Sequence, residues 1–277
     1  MEKLRFKSLL TTVLLIFLSL VFIAPIIIVI LNSFKGQFFI AESPFTFPNA
    51  TTFAGLENYI TGIERTGFFY AFLYSVIITV GAVGLIVLAT AMTAWYLARV
   101  KNKISSLIYY LFVFSMIVPF QMVMFTLSKI ANTLKFDNPL GLILIYLGFG
   151  AGLSVFIFTG FARAIPLEIE EAATVDGCGP IRMFFSIIFP ILRPTAVTVA
   201  ILNAMWIWND YLLPYLIIGS DYKTIPIAVQ YLQGGYGARD MGALMATLVL
   251  SIIPIIIFYL VCQKYIIKGV VAGAVKG

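Results

Sequence analysis

Six stretches of the chain, residues 9–31, 71–97, 104–127, 139–161, 194–218 and 241–261, run almost wholly apolar, with more polar segments of unequal length between them. Each is long enough to cross a hydrocarbon core of ~30 Å, which takes about 20 helical residues. The runs are continuous and lack the in-out alternation of a membrane barrel strand. Backbone groups in lipid must satisfy one another, so the pattern predicts helices. The expected fold class is all-α, a polytopic membrane protein of six spans in one domain covering residues 1–277. Lys3, Arg5 and Lys7 precede the first run as they would in a secretory signal. Its apolar region exceeds the usual ~7–15 residues and no small-x-small cleavage site follows closely. We expect an uncleaved anchor whose N-terminus stays in the cytoplasm.

The segments between the runs carry their own signals. Residues 32–70 hold Pro44, Pro48, Gly55, Gly62 and Gly67, a long connection that predicts a packed external cap or short interfacial helices. Pro119, followed by Gln121, either breaks the third span or merely kinks it. Gly141, Gly148, Gly150, Gly152 and Gly160 on the fourth span predict close helix packing, with hinge behaviour as the other reading. The polar segment 163–193 predicts a short helix near Pro166, where Glu168, Glu170 and Glu171 face the positive end of the amide dipoles. Ile169, Ala172, Ala173 and Asp176 recur at helical spacing, Gly177 suits the left-handed stop, and Pro180 starts a second short helix. The expected object is a low-profile helical plug at the inner membrane surface.

Composition agrees, with 61% apolar and 11% charged residues against about 45–50% and 25% in soluble domains. With the N-terminus inside, twelve of the 18 Lys and Arg residues fall on inner segments and six on outer ones, as the positive-inside rule requires. The net charge of +6 thus follows from topology and gives no reason to expect nucleic acid. Both termini are expected in the cytoplasm. Cys178 and Cys262 fall on the reducing side, so no disulfide is expected. The chain has no histidine. That removes the commonest transition-metal ligand and the usual general base, so we expect no metal site and no catalytic residue. No G-x-x-x-x-G-K-[ST] loop is present, so any ATP and Mg must be bound by another polypeptide and this chain carries no cofactor.

Glu171-Ala172-Ala173, three further residues, Gly177, nine residues and then Ile187-Ile188-Phe189-Pro190 form a spaced pattern in the polar segment. It resembles the EAA loop of binding-protein-dependent ABC permeases, with Phe189 where that pattern has Leu. Phe53-Ala54-Gly55-Leu56-Glu57-Asn58-Tyr59, Val118-Pro119-Phe120-Gln121, residues 160–166, Trp208-Asn209-Asp210-Tyr211 and residues 269–277 extend the likeness over nearly the whole chain. They are similar to the smaller permease subunit of maltose-type carbohydrate importers. The resemblance implies a type I ABC importer permease fold with a cytoplasmic coupling helix, in a prokaryotic cell membrane. It also implies an assembly with a second homologous permease, a cytoplasmic ATPase dimer, an external solute-binding protein and a sugar substrate. Glu170, Glu171, Ala172, Ala173, Asp176, Gly177, Ile187 and Pro190 would form the coupling loop, and the tail from Gly269 would touch the ATPase pair.

Asp210 is an ionisable residue in an apolar segment, a functional candidate by default. It lies sixteen residues beyond Pro194, ~24 Å along a helix at ~1.5 Å per residue. With Gln121, Trp206, Asn209 and Tyr211 it either lines a translocation path or sits among outer headgroups, where Trp and Tyr collect for reasons unrelated to substrate. Three alternatives stay open. One keeps the architecture with another polar cargo such as glycerol phosphate, one is an ion-coupled secondary transporter, and one is an intramembrane enzyme. The shortage of midplane carboxylates argues against the last two.

Overall fold

The computed structural model describes residues 2–232 and 240–274, with side chains at 9, 11–232 and 240–264. Of the tail expected to touch an ATPase, residues 275–277 lie outside the described residues and so do all the side chains from 269 onward. Among the described residues the regular structure is helical apart from an isolated bridge between Lys35 and Phe53. The elements are α1 (Glu2–Ser33), α2 (Gln37–Glu42), α3 (Glu57–Thr66), α4 (Phe68–Arg99), α5 (Lys103–Ser115), α6 (Phe120–Thr133), α7 (Pro139–Ala162), α8 (Leu167–Val175), α9 (Pro180–Met183), a π-helical turn (Phe184–Ile188), α10 (Phe189–Asn209), α11 (Leu212–Ile217), α12 (Ile225–Tyr231) and α13 (Met241–Ala274). Among the described residues five helices are long and apolar enough to span a membrane, or six if the bent pair α5 and α6 is one span. The fold is that of a polytopic all-α membrane protein.

One span settles between the two readings left open at Pro119 and another differs from its expected limits, both for backbone reasons. The third span is broken, because α5 and α6 meet at a bend of 103°. Pro119 has extended backbone as the N-cap of α6, where its ring fits and its missing N–H costs nothing. The fifth long helix runs from Pro180 to Asn209, whereas its expected limits were 194 and 218. Pro190 falls in the first turn of α10, directly after the π-helical turn, so it does not stop the chain. The outer stop comes instead at Asp210, whose backbone is extended.

The chain divides into two compact units, Met1–Phe69 with Ala228–Ile255, and Tyr70–Ile227 with Ile256–Gly277. In the second unit α7 packs against both α5 and α10. Asn138 caps α7 by accepting from the Gly141 N–H at 3.0 Å, and Asn102 caps α5 by accepting from Ser105 N–H at 2.7 Å, each cap contributing about 1 kcal/mol. The expected small-residue packing is found at particular glycines. A methyl group at Gly150 would lie 2.6 Å from Ile86 and 2.8 Å from the Asn203 side-chain oxygen, and one at Gly152 would lie 2.6 Å from Ser115 Oγ. Positions 148 and 160 meet nothing within 4 Å. In lipid, where burial itself drives little, such close approach is what holds helices together. The Asn203 amide completes the seam by donating to Ser154 Oγ at 3.1 Å and to the Val199 carbonyl at 2.9 Å.

In the first unit the segment between α1 and α4 is packed and carries the short helices α2 and α3. Asn58 donates to the carbonyls of Ser33 and Lys35, both at 2.8 Å, and Ser33 shares a 2.7 Å hydrogen bond with the Tyr59 hydroxyl. Phe34 packs on Phe53 and Tyr59. Lys35 is enclosed with its ammonium donating to the Ser43 carbonyl at 2.6 Å, and burial holds its pKa below the ordinary lysine value. Gly62 lets α3 sit against Thr247 and Ala243 of α13, and Arg65 pairs with Asp240 at 3.0 Å.

Candidate functional site

The polar segment after α7 folds as the sequence implies, and its end is fixed by hydrogen bonds. Gly177 has φ +75°, a left-handed conformation that side chains with a Cβ resist. Cys178 N–H donates to the Ala173 carbonyl at 2.9 Å and Gly177 N–H to the Thr174 carbonyl at 3.0 Å. This paired 6→1 and 5→2 closure is a Schellman stop, and it gives α8 a fixed end. Pro166 stands before the helix as its N-cap, one place earlier than the expected first turn.

The other side of α8 is anchored by charge. Arg99, in the last turn of α4, donates from Nε at 2.7 Å and Nη2 at 2.6 Å to the same Glu170 oxygen. Trp95 Nε1 donates to that oxygen at 3.1 Å, and Arg99 Nη2 also reaches the Ile165 carbonyl at 2.9 Å. The two charged side chains are only 16% and 13% exposed. Trp95 lies against Phe184, which also packs on Phe189, the residue that departs from the family pattern. Large apolar bulk is what that position needs.

These contacts sort the predicted coupling residues. Glu170 and Ala173 face the chain's own interior, and Ile187 is half-buried in the π-helical turn. Glu171, Ala172, Asp176, Gly177 and Pro190 are exposed. The expected face of Ile169, Ala172, Ala173 and Asp176 is therefore divided, because the core takes Ala173 while its neighbour Ala172 stays outside. Val175 at 88% exposure and Ile181 at 70% extend the outward surface. An apolar knob with a Glu171 and Asp176 rim thus stands out from the helix ends. It is a surface that a partner can grip.

The predicted pathway residues are only partly brought together. Tyr146, fully buried in α7, donates its hydroxyl to Asp210 at 3.0 Å and meets Trp206 edge-on at 5.4 Å. The other Asp210 oxygen accepts from Leu212 and Leu213 N–H at 3.1 and 3.4 Å. Asp210 is thus the pin that sets the break between α10 and α11. Asn209 turns back to the Met205 carbonyl at 2.7 Å, and Tyr211 stacks on Tyr215 at 5.2 Å. Gln121 sits exposed in the first turn of α6. Sequence reasoning missed Tyr146, Trp95 and the role of Arg99; their partners lie 64, 75 and 71 residues away. Among the described residues no group of three or more His, Cys, Asp or Glu side chains is placed to hold a metal ion.

A family model for the binding-protein-dependent transport system inner membrane component matches residues 86–271, a stretch that includes α8 and its glycine stop. The chain belongs to this family. The permease is 39% identical, over the full length of both chains, to the probable starch degradation products transport system permease protein AmyC of Thermoanaerobacterium thermosulfurigenes. It is 34% identical, over 93% of each chain, to the multiple sugar-binding transport system permease protein MsmG of Streptococcus mutans. A chain of the crystal structure of a bacterial ABC transporter involved in the import of the acidic polysaccharide alginate superposes with a TM-score of 0.81. That match covers 94% of the permease and 96% of the other chain at 20% identity, so it speaks for the fold. The permease is accordingly a multi-pass membrane subunit of the ABC importer permease type.

Proposed function

We propose that the permease imports an oligosaccharide by alternating access, driven through α8 by ATPase subunits on the cytoplasmic side. The observation that carries this reading is the outward knob of α8, fixed at one end by the Gly177 stop and at its side by Arg99 and Glu170. A rigid knob transmits displacement, whereas a loop would absorb it. ATP-driven closure of an ATPase dimer would move the knob and, through Arg99, the long helix α4. Hydrolysis by the partner then resets the chain, which binds no nucleotide itself. The relatives support the cargo class by their names, which specify starch degradation products, multiple sugars and melibiose, raffinose and stachyose. The assembly includes a second homologous permease and an external solute-binding protein, with both termini of this chain in the cytoplasm of a prokaryotic cell. The entire chain acts as one permease domain, and the outer aromatic and polar residues Trp206, Asn209, Tyr211 and Gln121 contribute to the path.

The test is oligosaccharide uptake by vesicles holding the assembled transporter with Glu171→Lys or Gly177→Asp in this chain. Loss of uptake with the subunit still inserted and ATPase co-purifying supports coupling through α8. Undiminished uptake in both variants overturns it.

A further inference from the structure

A cavity of about 1330 Å³ opens where the ends of α4 and α7, the Lys101-Asn102-Lys103 turn and the start of α5 meet. Lys101, Lys103 and Arg163 line it, against a single unpaired carboxylate, Glu168. Neither lysine has a carboxylate partner among the described residues, and Arg163 holds its guanidinium 5.1 Å above the Tyr109 ring. The fourth cation, Arg99, is committed to Glu170. From this basic mouth an apolar stripe runs along α5, with Leu107, Tyr110, Leu111 and Phe114 at helical spacing and 59%, 67%, 57% and 61% exposed. Cations at one end and an exposed apolar track at the other match the two halves of an amphiphile with an anionic head.

We propose that this cavity holds the phosphate of an anionic phospholipid of the inner leaflet, with an acyl chain along the Leu107, Tyr110, Leu111 and Phe114 stripe. Basic pockets at the cytoplasmic ends of spanning helices favour such headgroups. The inner-leaflet assignment rests on the orientation given under the proposed function. The site lies beside residues 163–168, which lead directly into α8, so a bound headgroup would brace the base of the coupling helix.

The experiment uses the assembled transporter in mild detergent, titrated with dioleoylphosphatidylglycerol, dioleoylphosphatidylcholine or inorganic phosphate, with bound ligand read by native mass spectrometry. Each lysine near such a headgroup contributes about fivefold, so Lys101→Gln/Lys103→Gln should weaken phosphatidylglycerol binding on the order of thirtyfold and leave phosphatidylcholine unchanged. Lys101→Arg/Lys103→Arg should restore it, and Lys129→Gln/Lys135→Gln, far along the chain, should not weaken it. Equal binding of the two lipids, no loss in the double glutamine variant, or full displacement of lipid by millimolar inorganic phosphate overturns the proposal. Orientation is read separately, with Ser106→Cys in a Cys178→Ser/Cys262→Ser background. Protection from an impermeant maleimide in intact cells upholds the inner-leaflet assignment, and labelling there removes it whatever the lipid titration gives.

Discussion

Replacing Glu170 with Gln removes one charge from a site where Arg99 is 16% exposed and the carboxylate 13% exposed. The amide oxygen still accepts one bond, but among the described residues the guanidinium is left with the Ile165 carbonyl as its one other acceptor, at 2.9 Å. Breaking a fully buried pair costs about 3–5 kcal/mol and an exposed pair contributes ~0–1 kcal/mol. This pair keeps some contact with solvent, so we expect a penalty of about 2–3 kcal/mol for Glu170→Gln. The cost is local, falling on the docking of α8 to α4, and corresponds to a rise of roughly 30- to 160-fold in its opening equilibrium. Amide hydrogen exchange across residues 167–178 of the detergent-solubilised transporter reads this directly. Exchange in α7 should stay unchanged. Arg99→Met in the Glu170→Gln background should add little, because the stranded charge that causes the penalty is then gone. Fully additive effects of the two substitutions, or unchanged exchange in α8, would refute the claim that this pair anchors α8.

Gly150→Ala should lower the melting temperature of the solubilised protein, because the new methyl meets Ile86 and Asn203, whereas Gly148→Ala meets nothing and should be neutral or stabilising by up to ~1 kcal/mol. Tyr146→Phe should destabilise by about 1 kcal/mol through loss of its bond to Asp210, seen in the same melts, with the ranking of transported sugars unchanged. Asp210→Asn keeps acceptors for Leu212 and Leu213 and should be milder than Asp210→Ala, which frees the break between α10 and α11. Gly177→Val should depress uptake more than Gly177→Asn, since only the latter tolerates φ +75°.

What the sequence made legible is local. Gly177 read as a helix stop, Pro180 as the start of a second short helix and Pro119 as a break or kink, because each acts on the backbone within a few residues. The helix and stop of the segment 163–193 were legible by spacing, and the division of α8 into a buried and an exposed face was not. Ala172 and Ala173 are the same residue type, and only the packing of α8 onto the core decides that Ala173 is buried and Ala172 exposed. Glu170 looked like its neighbour Glu171 until Arg99, 71 residues earlier, was seen beside it. Asp210 stood out as a lone carboxylate, but its partner Tyr146 carried no signal inside an apolar run. The fifth long helix begins earlier than expected because a π-helical turn carries the chain into α10 just before Pro190, and such a turn has no sequence signature.

The central claim is that the outward face of α8 meets the ATPase while its inward face stays with α4. Photo-crosslinking from single cysteines, in a Cys178→Ser/Cys262→Ser background of the assembled transporter, separates the two faces. Val175→Cys and Glu171→Cys should join this chain to the ATPase in high yield, and Ala173→Cys should give little or none. Equal yields from all three positions, or none to the ATPase from Val175→Cys and Glu171→Cys, would contradict the account.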